Sequence, residues 1–239
     1  MQNSLQLTCV IKQPSTRKLI SNVTGRKMPD LPLVKLAHSR ILEVVKNSDT
    51  VIDATVGNGH DTLFLARAVG QRGKVFGFDV QKEALDHTWR QLQEHGMDRQ
   101  VSLYHAGHEI MSTLLPEQLA GRVQAIMFNL GYLPGGNKSR ITRAATTLAA
   151  VQTALQMLSA GGKVTVMAYT GHPGGQQEAS AVRHWASALP PDLFNIEMEI
   201  PRVTAKPSPE LITITKKQKR PGLSVTGVTM ADVHKYSGH

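Results

Sequence analysis

The 239-residue sequence lacks the signatures of several protein classes. A single cysteine, Cys9, excludes an intramolecular disulfide framework and favours a reducing compartment. No apolar run approaches the roughly 20 residues that a membrane span needs, so the sequence predicts a soluble protein without a membrane partner. There is no CxxC pair, no HExxH array and no GxSxG motif. We therefore expect neither a metal site nor hydrolase chemistry.

Acidic residues are scarce at the N-terminus, where residues 1–29 contain none. The whole chain has 27 Lys and Arg against 18 Asp and Glu, a formal net charge of +9. Such a surplus favours a polyanionic partner, most often nucleic acid, with solubility as the alternative explanation. We predict a basic extension at 1–30, one folded domain at 31–216 and a polar basic tail at 217–239. The predicted location is cytoplasmic, with organelle targeting by the extension as the alternative.

Segments with strand character alternate with segments of helical period through most of the chain. Strands are predicted at 50–53, 74–79, 101–104, 123–129, 163–169, about 194–200 and 211–216. The helix that contains Leu148, Val151 and Leu155 is predicted to include Leu158 and to stop at Gly161. This order predicts an α/β fold with a doubly wound, mostly parallel, seven-stranded sheet. Ligands of such folds bind at the carboxyl ends of the strands.

The segment VIDATVGNGHDT, residues 51–62, joins the first predicted strand to a helix through a glycine turn. Glycines at 57 and 59 allow a ligand to approach the backbone closely. A dinucleotide-binding fingerprint needs a third glycine where Thr62 stands, so a dehydrogenase is disfavoured. Because Asp53 and Asp61 repel phosphate, they favour a ligand with positive charge.

Asp79 ends the second predicted strand, twenty residues after Gly59. An acid at that place can accept hydrogen bonds from both hydroxyls of a ribose. A ribose combined with a cationic group and no phosphate describes S-adenosylmethionine. Its adenine is then expected over Val80, near residues 106–108, and its methionine part at the glycine turn.

A second motif, NLGYLPGGNKS, follows the fourth predicted strand at 129–139. Methyltransferases that act on nitrogen place an Asn or Asp here, then a short turn and an aromatic residue. Asn129 would accept a hydrogen bond from the substrate amine, with the Leu130 carbonyl beside it, and Tyr132 would stack on a base. Leu130 and Gly131 replace the usual two prolines.

The segments DATVGNGHDT, FDVQ, FNLGYLPGGNKS and GHPGG together resemble the MnmM family of tRNA methyltransferases. The resemblance runs from about His38 to Lys216. It implies a Rossmann-like, S-adenosylmethionine-dependent fold. The implied reaction is N-methylation of the aminomethyl group on the tRNA wobble uridine, which gives 5-methylaminomethyl-(2-thio)uridine. The anticodon region of tRNA would then be the partner, and a homodimer is an open possibility.

The matching motifs imply roles for individual residues. The cofactor-binding set is Asp53, Gly57, Asn58, Gly59, His60, Asp61, Thr62, Asp79, Val80, Gln81, Gly107, His108 and Asn129. The substrate-binding set is Leu130, Gly131, Tyr132, Pro134, Gly135, Lys138, Arg140, Tyr169 and His172. The catalytic set is Asn129, Tyr132 and His172.

Removal of a proton from the amine is assigned to one of three candidates, His172, Tyr169 or His108. Lys138 lies near the end of the second motif, and Arg140 and Arg143 follow it. We expect these three residues to hold tRNA phosphates, with a solvated basic face as the alternative. Three alternatives stay open at this point. The chain could methylate ribosomal RNA, methylate a small-molecule or protein amine, or bind RNA without catalysis.

Overall fold

The computed structural model describes residues 32–131, 141–200 and 208–218. Within these ranges the strands are β1 (Thr50–Asp53), β2 (Lys74–Asp79), β3 (Val101–His105), β4 (Val123–Leu130), β5 (Leu158–Ala168), β6 (Phe194–Glu199) and β7 (Glu210–Lys216). The α-helices are α1 (Leu33–Leu42), α2 (His60–Val69), α3 (Lys82–Glu94), α4 (Met111–Leu114), α5 (Ala144–Met157) and α6 (Gly175–Ser187). Short 3-10 helices lie at Asp98–Gln100, His108–Ile110 and Glu117–Leu119.

The seven strands form one sheet in the order β3-β2-β1-β4-β5-β7-β6. Strands β1 to β5 pair in parallel, whereas β7 runs antiparallel to both β5 and β6. The predicted α/β fold with a doubly wound, mostly parallel, seven-stranded sheet is therefore confirmed. The predicted extension at 1–30 and all but the first two residues of the predicted tail lie outside the described residues.

The boundary between α5 and β5 differs from the prediction. The helix ends at Met157 and the strand begins at Leu158, ahead of the glycines that were expected to stop the helix. The Lys216 ammonium group donates to the carbonyls of Leu155 and Leu158 at 3.0 and 2.7 Å. This contact satisfies carbonyls at the end of the helix. It comes from β7, so the local sequence of α5 carries no sign of it.

Alternation of side chains along β4 divides the core into two layers. Ile126 and Phe128 are buried in the cluster that also holds residues of α5 and α6. Their neighbours Ala125 and Met127 are buried in a second cluster with residues of α1 and α2. Because successive strand residues point to opposite faces, one apolar strand supports helices on both sides of the sheet.

The strand order reverses between β1 and β4, which are neighbours in the sheet although β2 and β3 separate them in sequence. The loops after these two strands diverge to opposite sides and leave a crevice at the carboxyl edge. Asp53, Asp79 and Asn129 therefore converge at this edge, at or near the ends of β1, β2 and β4. Among the described residues, no helix is both long enough and apolar enough to span a bilayer.

Candidate functional site

A cavity of about 910 Å³ opens at the carboxyl edge of the sheet, where the strand order reverses. This volume lies in the range of small-molecule and cofactor sites. We call it the switch-point cavity. The predicted site residues that line it are Gly57, Asn58, His60, Asp61, Asp79, Val80, Gln81, Gly107, His108, Asn129, Gly131, Tyr169 and His172. Residues from sequence-distant segments are thus brought to one site.

Four predicted site residues lie behind the cavity wall rather than in it. They are Asp53, Gly59, Thr62 and Leu130, all buried. Five others lie outside the described residues, so the structure says nothing of them. They are Tyr132, Pro134, Gly135, Lys138 and Arg140.

Asp53 connects the end of β1 to the turn and helix that follow. Its side chain is fully buried, and its carboxylate accepts hydrogen bonds from the Thr62 hydroxyl at 2.6 Å and the Thr55 N–H at 3.1 Å. Burial, followed by the nearby charge of Asp61, raises the pKa of Asp53 to about 7. Asp53 therefore organises the glycine turn from beneath.

Gly59 allows the turn to pack closely against α3. Its φ is +80°, a backbone conformation that residues other than glycine rarely adopt. A Cβ at this position would also lie 2.6 Å from the Thr88 hydroxyl oxygen. The same hydroxyl faces the Gly57 carbonyl at 3.4 Å. This packing leaves the backbone of residues 57 and 58 as part of the cavity wall, with room for a ligand to lie against it.

Asp79 holds the other side of the turn. Its two carboxylate oxygens each accept a backbone N–H bond at 2.8 Å, one from Gly57 and one from Gln81. Burial raises the pKa of Asp79, while these two hydrogen bonds oppose the rise. Each oxygen keeps further lone-pair capacity, and the residue lines the cavity. Asp79 can thus accept two further hydrogen bonds from a ligand, such as those that the two hydroxyls of a vicinal diol would donate.

Val80, Gly107 and His108 line the cavity as Asp79 does. Val80 is half exposed, and Gly107 has no side chain. His108 is buried, packs edge-on against Phe128, and directs Nδ1 towards the Ala54 carbonyl at 3.3 Å. Burial lowers the pKa of His108, so its imidazole is neutral near pH 7, with Nδ1 donating. These residues can hold a planar heterocycle.

Asn129 is held by two fixed contacts. Its backbone N–H donates to the Thr55 hydroxyl at 2.7 Å, and its side-chain Nδ2 donates to Asp61 Oδ2 at 2.5 Å. The other carboxylate oxygen of Asp61 lies 2.5 Å from His38 Nε2. The His38 ring in turn stacks on Phe64, with a centroid separation of 3.8 Å and an interplanar angle of 3°. A chain of contacts therefore runs from α1 through α2 to the end of β4.

The residues that follow β5 line the same cavity as Asn129. The Leu130 carbonyl, predicted to face the substrate amine, accepts the Tyr169 backbone N–H at 3.0 Å. Burial, and then the charge of Asp61, raises the pKa of the Tyr169 phenol. The phenol is therefore a hydrogen-bond donor at neutral pH and a poor base. His172 lines the same part of the cavity, close to Gly131.

A buried carboxylate fixes the residues that lead into α5. Glu178 is 2% exposed and accepts the hydroxyls of Thr142 and Thr147, both at 2.6 Å. Glu178 belongs to α6 and Thr147 to α5, so both helices hold Thr142 in place. Arg143, exposed between Thr142 and α5, is thereby positioned at the mouth of the cavity.

Several residues of the site were missed at the level of sequence. Their partners lie 23 to 74 positions away along the chain, and the residues concerned are His38, Thr55, Thr142 and Glu178. Of these four, Glu178 alone carries a signal in the sequence, because it is a charged residue on the helix face that also holds Val182 and Ala186. Within the described ranges, no group of three or more His, Cys, Asp or Glu side chains is arranged to hold a metal ion.

Comparison with known proteins decides the family. The family model described as Putative rRNA methylase matches residues 75–216, more than half of the chain. The chain belongs to this family. The match runs from the second residue of β2 to the end of β7 and so contains both Asp79 and Asn129.

Relatives include a protein named tRNA (mnm(5)s(2)U34)-methyltransferase, chloroplastic, from Arabidopsis thaliana. It is 41% identical over 164 residues, which cover 65% of this chain and 59% of the relative. The chain thus spans about three-fifths of that relative's length.

Two solved structures share the fold at higher coverage. A putative rRNA methylase from Clostridium thermocellum is 36% identical, with a TM-score of 0.75, and the alignment covers 79% of this chain and 100% of that one. A putative methyltransferase from Streptococcus mutans, in complex with SAH, is 34% identical with a TM-score of 0.70, covering 79% and 99%.

The buried Asp53 carboxylate generates a prediction for stability. Because its pKa is about 7 in the folded state and 3.8 in the reference state, the native protein retains a proton between these values that the unfolded chain has lost. The contribution of Asp53 to the free energy of unfolding therefore falls as pH rises from about 4 to 7 and is constant above. The neutral amide of the Asp53→Asn variant can accept the Thr55 N–H and donate to Thr62. We expect this variant to lack the decline.

Urea denaturation of both proteins at several pH values measures this difference. Asp86→Asn, an exposed carboxylate of α3, serves as the matched control. Parallel pH profiles for wild type and Asp53→Asn would contradict the raised pKa.

Proposed function

We propose that the chain is an S-adenosylmethionine-dependent methyltransferase of tRNA. More narrowly, it methylates the aminomethyl nitrogen of the wobble uridine to give 5-methylaminomethyl-(2-thio)uridine. The observation that carries the proposal is the meeting of Asp79 and Asn129 in one cavity, since Asp79 suits a ribose diol and Asn129 an amine. The named activity of the Arabidopsis relative and the SAH in the Streptococcus structure support the same assignment.

The residues of the cavity fit the cofactor in three parts. Asp79 would accept the ribose hydroxyls, the Val80–Gly107 side would enclose the adenine, and the backbone at Gly57 and Asn58 would lie along the methionine part. When bound, S-adenosylmethionine supplies a methyl group already activated by its sulfonium. What is left for the protein is to align the acceptor nitrogen and exclude competing water.

Asn129 is suited to orient the acceptor. Its side-chain oxygen would accept an N–H of the neutral substrate amine and hold the nitrogen lone pair towards the methyl group. The Leu130 carbonyl accepts the Tyr169 N–H and Leu130 does not line the cavity, so Asn129 Oδ1 is the acceptor that we assign to the amine. The raised pKa of the Tyr169 phenol leaves His172 as the better candidate for the departing proton.

An rRNA substrate is the second candidate, because the family description names rRNA and a further relative is Ribosomal RNA small subunit methyltransferase H of Acinetobacter baylyi. That relative is 31% identical over 98 residues, covering 40% of this chain and 31% of the relative.

The chloroplast location belongs to the name of the Arabidopsis protein. The location of this chain stays a prediction, as does a homodimer.

Nucleoside mass analysis tests the substrate directly. Transfer RNA that lacks the terminal methyl group is incubated with the protein and S-adenosylmethionine, then digested. We expect 5-aminomethyl-(2-thio)uridine to gain one methyl group with wild type and much less with Asn129→Ala. If rRNA in a parallel incubation gains the methyl group and the tRNA gains none, the second candidate is favoured and the tRNA assignment is overturned.

The ribose assignment predicts a loss of cofactor affinity. Replacing Asp79 by Ala removes both acceptors, so binding of SAH should weaken roughly 10- to 100-fold, the scale of one or two charge-assisted hydrogen bonds. Calorimetric titration with SAH measures the change, and Asp86→Ala is the surface control. Because Asp79 also holds the turn, thermal unfolding of the variant is recorded alongside. Unchanged affinity in a folded Asp79→Ala protein would refute the assignment.

Arg143 at the cavity mouth predicts a contact with RNA phosphate. Arg143→Glu should weaken tRNA binding and reduce the slope of log affinity against log salt by about one unit. Arg72→Glu makes the same change in net charge at an exposed site before β2, at the opposite edge of the sheet. Filter binding at several salt concentrations compares the two. Equal effects of both substitutions would assign the loss to overall charge rather than to a contact.

A further inference from the structure

The orientation of the Asn129 amide is fixed by its neighbours. An ionised carboxylate only accepts hydrogen bonds, so the atom of Asn129 that lies 2.5 Å from Asp61 Oδ2 must be the NH₂ group. Two oxygens at that distance would repel each other. The planar amide then presents Oδ1 on the side away from Asp61, and Asn129 lines the cavity.

Asp61 is itself held in place. It is 7% exposed, and the oxygen that does not face Asn129 lies 2.5 Å from His38 Nε2. Nε2 must carry a proton to make this contact, since the carboxylate oxygen offers none. Stacking of His38 on Phe64 restricts the ring orientation, so both oxygens of Asp61 have a defined partner.

We propose that Asp61 and His38 are positioning residues that keep Asn129 Oδ1 turned towards the substrate. The inference rests on the proposed function and deepens it. From its place beside the glycine turn, Asp61 was predicted to contact the cofactor directly. The proposal instead gives it the role of orienting the Asn129 amide. Without a carboxylate at position 61 the Asn129 amide could rotate by half a turn and present NH₂ to the substrate, where an amine donor needs an acceptor.

The Asp61→Asn variant tests this rotation. While His38 Nε2 donates to the oxygen of the introduced amide, the NH₂ group of that amide faces Asn129 and favours the inverted orientation of the Asn129 side chain. We expect kcat to fall roughly 10- to 100-fold, the scale of a charged hydrogen bond, while the affinity for SAH changes less than about threefold. Asp86→Asn, on the surface of α3, should leave both unchanged.

A double-mutant cycle separates positioning from direct binding. In the Asn129→Ala background, Asp61→Asn should cause little further loss of kcat, because the amide it orients is gone. Losses that multiply independently, or a fall in SAH affinity as large as the fall in kcat, would overturn the proposal.

His38 offers a matched pair of variants. His38→Gln keeps an N–H donor that can reach Asp61, whereas His38→Phe keeps a ring on Phe64 but removes the donor. We expect the Gln variant to retain more of the wild-type kcat than the Phe variant. Activity of the Phe variant equal to or above that of the Gln variant would show that the donor is not needed and would overturn the part assigned to His38.

A readout independent of catalysis keeps the proposal separate from the proposed function. The side-chain NH₂ resonances of Asn129, identified by their loss in Asn129→Ala, are recorded in a nitrogen-15 correlation spectrum. We expect Asp61→Asn to shift them, and identical resonances would overturn the proposal. If wild type fails to methylate tRNA, the proposed function fails, and these resonances still decide whether Asp61 holds the amide.

Discussion

The site depends on how one buried carboxylate joins a strand to a turn. Asp53 ends β1 with no exposure to solvent, and its oxygens bind Thr55 ahead of the glycine turn and Thr62 within α2. The Thr55 hydroxyl in turn accepts the Asn129 N–H, which ties the turn to β4. Once these contacts form, the turn, the start of α2 and the end of β4 hold fixed positions relative to one another. Together with the Asp79 contact to the Gly57 N–H, these contacts position the cavity residues between 54 and 61.

Three aspartates lie near one another, and the structure stabilises each in a different way. Asp53 is deeply buried, so its pKa rises to about 7. Asp79 receives two backbone N–H groups, which oppose the rise in pKa that burial causes. Asp61 faces His38 and Asn129. Like charges this close would otherwise destabilise the fold, and the separate partners allow the three carboxyl groups to lie near one another.

Much of the architecture could be predicted because it follows from local patterns. The strand from Val123 is apolar on both faces, as a central parallel strand must be, and the residues after each strand reach the common edge. Asp79 and Asn129 were found by that rule. The contributions of His38 and Glu178 were not, since each depends on partners distant in sequence. Asp53 was predicted to contact the ligand because it ends a strand. Its hydrogen bonds to Thr55 and Thr62 instead place it beneath the turn, and these contacts could not be predicted from its position alone.

The charge distribution divides recognition into two stages under the proposed function. The net charge of +9 and the exposed Arg143 at the mouth attract a polyanion over long range, and salt weakens that attraction. Inside, the wall offers acceptors: Asp79 on one side and, in the orientation argued above, the oxygen of Asn129 on the other. A phosphate is repelled there, while a group with N–H or O–H donors is stabilised. Phosphates are thus kept at the mouth, and an amine-bearing base is the part of the nucleic acid that the interior accepts.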